Sequence, residues 1–452
     1  MVIQVSKKKH KKEFNEISVN KILRFFLFFL LISNCSLNSE SSLWTKSKKI
    51  EAEKDLIVKE LFKDEEARSK EINSNLKIKL ESNFLENNFN NNLKNNSGRI
   101  NYNGKLESIS KYKFSKIDNF DQFEPEIIFD KNNIVFFDNK GSILKFDQFS
   151  KLIWEKNYYT KAEKKLKPKL SLANNDEILI VADNLAKYYS VNLKSGKLLW
   201  SKTNLAPFNS QIKIYKDMFF ITDFENVLRC FSIKNGNELW NVKTDTTFIK
   251  SQKKLSLVIS NEVVFFSNSI GDISAVDIST GNLIWQTPTQ SSSIYEDAFL
   301  LKTSDIIVGD NEILFSNNKN EFFSLDVNSG ALNWVQKINS SLRPTIIENL
   351  IFTVSIEGYL AVVEKENGNI VRFTDVFDKF NKKKRPNIKP VGFLVGSKNI
   401  YLTTDSGQII IIEILNGKSS SILKIDNEKL SRPFILNQNL FVIKDNAIIK
   451  LN

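Results

Sequence analysis

The stretch SGKLLW, Ser195 to Trp200, sets the reading of the whole chain because it recurs. NGNELW ends at Trp240, TGNLIW at Trp285 and SGALNW at Trp334. The glycines are Gly196, Gly236, Gly281 and Gly330, each four residues before its tryptophan. An earlier copy, SKLIW, ends at Trp154 with Ser150 in the glycine place. Two later copies keep the glycine and lose the tryptophan: Gly368 precedes Arg372, and Gly417 precedes Ser421. Successive anchors lie 46, 40, 45, 49, 38 and 49 residues apart.

Around each anchor the same order of elements returns. A β-branched or aromatic run comes first, as in NNIVFFD, DEILIVAD, DMFFITD and NEVVFFSN. A tight turn follows, with glycine at Gly141, Gly271, Gly358 and Gly407. A second strand then reaches an acidic residue (Asp277, Asp326, Glu364, Glu413) and the anchor glycine. Acids that recur at one repeat position read as turn formers, not catalysts. The eight prolines, from Pro125 to Pro433, fall between copies or at the first strand of the next. Proline cannot donate to a sheet ladder, so it marks the boundaries independently of tryptophan. Antiparallel hairpins repeating with a period in the forties predict an all-β propeller.

The last copy, from Arg432-Pro433, stops before its anchor strand. The missing strand has a candidate upstream, from Asn103-Gly104 through Ile109 to Phe114. A closed ring must latch its ends, and an N-terminal strand in the last blade leaves no open edge. Residues 101–452 supply 44 residues for each of eight blades. The expectation is an eight-bladed propeller over 99–452, its last blade closed from the N-terminus.

Composition removes most enzyme classes. The only histidine, His10, lies in a segment expected to be removed, so the mature chain has no Ser-His-Asp triad and no His metal ligand. Cys35 and Cys230 are the only cysteines, so no disulfide framework or zinc site is expected. Cys230, in VLRCFSI, reads as a small buried apolar residue. No catalytic residue, metal or cofactor is expected. The net charge of +12 includes +5 from residues 1–34, and no nucleic-acid motif accompanies it.

The N-terminus reads as a lipoprotein signal peptide, residues 1–34. The basic KKKHKK at 7–12 precedes an apolar run from Ile22 to Ile32, too short to span a bilayer. The run ends in Ile32-Ser33-Asn34-Cys35, which resembles a lipobox, with Cys35 as the residue that would carry lipid. Ser36 after it implies sorting to the outer membrane. Residues 35–98 read as a polar, Asn-rich tether with one short helix near 50–70.

The repeats resemble the PQQ-type β-propeller repeat, whose tryptophans pack between neighbouring blades. The same fold serves quinoprotein dehydrogenases, but those also need a bound quinone and a calcium site. The full plan of lipobox, tether and latched eight-bladed ring resembles the BamB family of outer-membrane lipoproteins. That resemblance implies a non-enzymatic scaffold of the β-barrel assembly machinery, lipid-anchored and facing the periplasm. Its implied partners are the central barrel-inserting protein and unfolded barrel precursors, with no nucleic acid. The family's binding loops correspond by position to 244–254 and 288–305, where Lys250, Asp297 and Lys302 are candidate contacts. A propeller binding a polysaccharide or other ligand is the alternative reading.

Overall fold

The computed structural model describes residues 70–85, 93–246, 253–289 and 301–452. The chain divides into units 1–66 and 67–452, and the first lies outside the described residues, as do Cys35, the signal peptide and the expected helix at 50–70.

Eight four-stranded antiparallel sheets follow one another around an axis. Blades 1 to 7 run over 128–156, 170–203, 213–243, 257–287, 307–336, 345–375 and 390–424, each in simple strand order. Blade 8 combines Phe434–Leu436, Asn439–Lys444 and Ala447–Leu451 with the N-terminal strand Ser108–Lys113. Tyr112 pairs with Ile448 in that seam. The Leu106 and Phe114 amides extend it, donating to Asn452 O at 2.8 Å and Asn446 O at 3.1 Å. A Cβ on Gly104 would stand 2.2 Å from Asn452 O, so only glycine lets the latch segment approach Asn452 this closely. The expected latch is therefore present.

The strands form where sequence and burial agree. Second strands such as Ile178–Asp183 are buried on both sides, because each blade is sandwiched between two others. Outer strands such as Leu198–Thr203 are half exposed. Burying a Phe or Ile side chain contributes about 1.5–3 kcal/mol, and the 35 Phe supply much of this term. Within each blade the first and third turns lie at one end of the ring, the turn end. The second turns and the proline-bearing connections lie at the other, the connection end.

The expected tether differs from the structure over its second half. Residues 70–85 and 93–98 lie against the propeller. Ile72 adds to the outer strand of blade 6, exchanging both backbone hydrogen bonds with Phe373 at 2.9 Å. Ile78 is buried between blades 6 and 7 with Leu360, Val362, Ile410 and Ile412. Polar composition hid this docking, because isolated apolar residues and backbone groups make the contacts.

Candidate functional site

The anchor residues come first, since they space the blades. A bulge immediately before each outer-strand tryptophan shifts the register, as between Leu198 and Trp200, and aims the indole at the next blade. Trp154, Trp200, Trp240, Trp285 and Trp334 each lie within a few ångströms of the space over the next glycine, Gly196, Gly236, Gly281, Gly330 and Gly368. The indole N–H groups of Trp200, Trp240 and Trp334 donate to Ile233 O, Ile278 O and Lys365 O at 2.8–3.0 Å. Arg372 takes the tryptophan place in blade 6. Its buried guanidinium donates to Ile414 O at 2.9 Å, Leu415 O at 2.8 Å and Leu76 O at 3.0 Å. The departure from the repeat thus falls where the N-terminal segment docks.

The axis is occupied by the chain itself. Residues 93–100 run along the inner strands at the turn end. Ile259 N donates to Leu93 O at 2.9 Å, Val308 N to Lys94 O at 3.2 Å, and Ile100 N to Val395 O at 2.9 Å. These bonds satisfy edge groups that a sheet otherwise leaves unpaired. Asn95 enters the axis and is buried. Its amide donates to Gln211 Oε1 at 3.0 Å and Ile306 O at 3.1 Å, and its oxygen accepts from Lys213 Nζ at 2.7 Å.

Below Asn95, at the connection end, a charged cluster fills the mouth. Glu126 Oε1 accepts from Arg343 Nη2 at 3.2 Å and from Arg432 Nη2 at 3.1 Å, and Lys254 Nζ lies 4.0 Å from Oε2. Arg343 also binds Asp305 Oδ2 through Nε at 2.7 Å. Burial alone would raise the Glu126 carboxyl, but Lys254, Arg432 and Arg343 outweigh it and hold it well below the carboxylate range. Burial pushes the Lys213 ammonium down to about 7 against the pull of Glu126. Burial, reinforced by Arg343, pushes Arg432 down to about 10.

Of the loop residues named from sequence, Lys250 and Asp297 lie outside the described residues. Lys302 is exposed at the connection end, its amide donating to Asn318 Oδ1 at 2.7 Å. Lys429 is depressed chiefly by burial, and the charges of Lys253 and Lys302 add to the effect. Sequence reasoning missed the axial cluster. Its signal was phase: Glu126, Lys254, Asp305, Arg343 and Arg432 each lie two or three residues before an inner strand. Cys230 is buried, and burial pushes its thiol up to about 12, so it is an inert core residue.

Two cavities of about 40 Å³ each lie within the charged mouth, room for a few waters. The axis itself is filled by Asn95, Lys213 and the Glu126 cluster. A larger groove of about 660 Å³ lies at the turn end beside residues 83–85 and 93–99, with a mixed lining that includes Phe84, Val308, Glu312 and Lys365. Among the described residues no three His, Cys, Asp or Glu side chains are placed to hold a metal ion.

No curated protein sequence matches the chain. Among solved structures, BamB from Moraxella catarrhalis is 13% identical with a TM-score of 0.63, covering 77% of this chain and 99% of its own. Quinohemoprotein alcohol dehydrogenase from Comamonas testosteroni is 8% identical with a TM-score of 0.61, covering 78% of each chain. A computationally designed protein, Ika8, is 13% identical with a TM-score of 0.58, covering 77% of this chain and 99% of its own. At such identities these likenesses speak for the fold alone. The sequence model described as outer membrane protein assembly factor BamB matches residues 139–374, 236 of the 452 residues. The chain therefore belongs to the BamB family of outer membrane protein assembly factors.

Proposed function

We propose that this chain is a non-enzymatic scaffold of the outer-membrane β-barrel assembly machinery, anchored by lipid on Cys35 and facing the periplasm. The observation that carries this reading is the BamB family match from blade 1 through blade 6. The lipobox-like ending at Cys35 and the filled axis are consistent with it. The proposed partners are the central barrel-inserting protein and unfolded barrel precursors. Contact would be made through the loops 244–254 and 288–305, which hold Lys250, Asp297 and Lys302. The sequence between Cys35 and Lys70 leaves a long polar stretch through which an anchored propeller could reach a partner.

Affinity capture of the tagged chain from detergent-solubilised envelopes tests this reading. The expected result is co-purification of the central barrel-inserting protein, lost on replacing Lys302 together with Lys250. Capture of envelope polysaccharide without any barrel-assembly component would contradict it.

A further inference from the structure

The connection from blade 6 to blade 7 carries charge that the propeller does not use. Over residues 377–389 the sequence holds Lys379, Lys382, Lys383, Lys384, Arg385 and Lys389 against one acid, Asp378. The acids around the connection are already engaged. Asp375 Oδ2 lies 2.6 Å from Arg385 Nη1, Asp378 Oδ1 accepts from Ser419 Oγ at 2.6 Å, and Asp405 Oδ1 accepts from Lys389 N at 2.8 Å. Lys379 donates to Ser420 O. Lys382, Lys383 and Lys384 are exposed and, among the described residues, form no ion pair.

The turn that presents them is built into the fold. Phe377 is buried and meets the Phe380 ring edge-on at 5.4 Å. Asn381 closes the turn: its Oδ1 accepts from Lys383 N at 3.0 Å and its carbonyl from Lys384 N at 2.9 Å. Arg385 lies over the Tyr359 ring at 5.5 Å, and Ile388 is buried behind it. The N-terminal segment meets the same edge. Ile72 pairs antiparallel with Phe373, so the residues before it run toward Asp375 and this turn. Glu71 Oε1 accepts from Asp375 N at 3.0 Å. The chain that leads back to Cys35 therefore leaves blade 6 on the side of the three lysines.

We propose that the turn Asn381–Arg385 is a contact for anionic lipid headgroups. Only the nearness of a bilayer rests on the lipid-anchored reading; the chemistry of the turn does not. Cys35 stands 35 positions before Lys70, chain enough for the turn to meet the bilayer that holds the anchor. Three adjacent lysines on one turn repel one another, and an anionic surface relieves that repulsion. Lysine is a compact point charge on a flexible stem, suited to lipid phosphates that offer no fixed geometry. A lipid and a basic cluster together hold a protein at a membrane more firmly than either alone. The contact sets the connection end of the propeller toward the bilayer.

The test uses the full chain with Cys35→Ala, which leaves Cys230 as the only native thiol, buried and closed to label. A solvent-sensitive fluorophore is placed on Asn387→Cys beside the turn, or on Asn328→Cys, exposed at the turn end. Each chain is reconstituted into vesicles of phosphatidylglycerol mixed with phosphatidylcholine, and into vesicles of phosphatidylcholine alone. A blue shift is expected for the label at 387 in the anionic vesicles only, and none for the label at 328. Lys382→Ser, Lys383→Ser and Lys384→Ser together should remove most of that shift, and the three Lys→Arg changes should keep it. High salt should also remove it. No shift at 387 in anionic vesicles, or an equal shift in the Ser variant, overturns the proposal. Either result leaves the scaffold reading standing, because that reading is decided by capture of the barrel-inserting protein.

Discussion

Trp200 lies flat beneath Gly236 of the next blade: a Cβ on the glycine would stand 2.5 Å from the indole ring. Gly236 has φ +66°, a region that costs other residues about 1–2 kcal/mol. Glycine and tryptophan are thus two halves of one contact, repeated from blade to blade. Gly236→Ala should lower stability by more than the backbone strain alone, since the methyl must displace the indole. Trp200→Ala should cost about 3 kcal/mol. The double variant should cost less than the sum, because the alanine methyl then has room. Strict additivity in denaturant melts would show that the two residues do not share a contact.

Arg372 replaces the tryptophan where the N-terminal segment needs a donor. Arg372→Trp restores the repeat but removes the bond to Leu76 O. The expected outcome is a folded propeller whose residues 70–80 are cut faster by a nonspecific protease. Arg372→Met should leave three carbonyls without their charged donor and destabilise by roughly 2–3 kcal/mol. Unchanged cleavage in both variants would mean that the segment is held by other contacts.

The latch gives a graded series of truncations. Removing residues up to 69 should leave the melting temperature unchanged. Removal up to 98 withdraws Ile78, Leu93 and Asn95 from their sites and should lower it. Removal up to 116 also takes the strand Ser108–Lys113 from blade 8, opens two edges and should cause aggregation. Equal stability of the last two would contradict closure by this strand.

These cases also mark how far the sequence could be read. The Gly-to-Trp spacing, the prolines and the truncated final copy led to eight blades and to the closing strand, because each reflects a local backbone requirement. Docking of residues 70–85 and 93–98 was not legible, since it rests on backbone hydrogen bonds and on scattered residues such as Ile72, Ile78 and Asn95. The axial cluster was equally hidden. Glu126 and Arg343 are 217 positions apart, and only ring closure brings them together.

Lys213 gives the fold a pH signature. Its ammonium is held near 7 in the fold, against an ordinary 10.5. Between these values the unfolded chain binds the extra proton, so stability rises with pH across that window. Below it, both states are protonated and the cost of the buried charge is fully present. Lys213→Met should therefore gain on the parent at about pH 6, with the gain shrinking by about pH 9. A difference constant with pH would show that the lysine titrates alike in both states.

The central claim, a BamB-type scaffold built on a latched propeller, is tested most directly by binding in purified form. The full chain in detergent is titrated with the periplasmic domains of the central barrel-inserting protein, while circular dichroism confirms that the propeller is folded. The account predicts saturable one-to-one binding that falls when Lys302 is replaced by Glu. A folded propeller that shows no binding to those domains would contradict it.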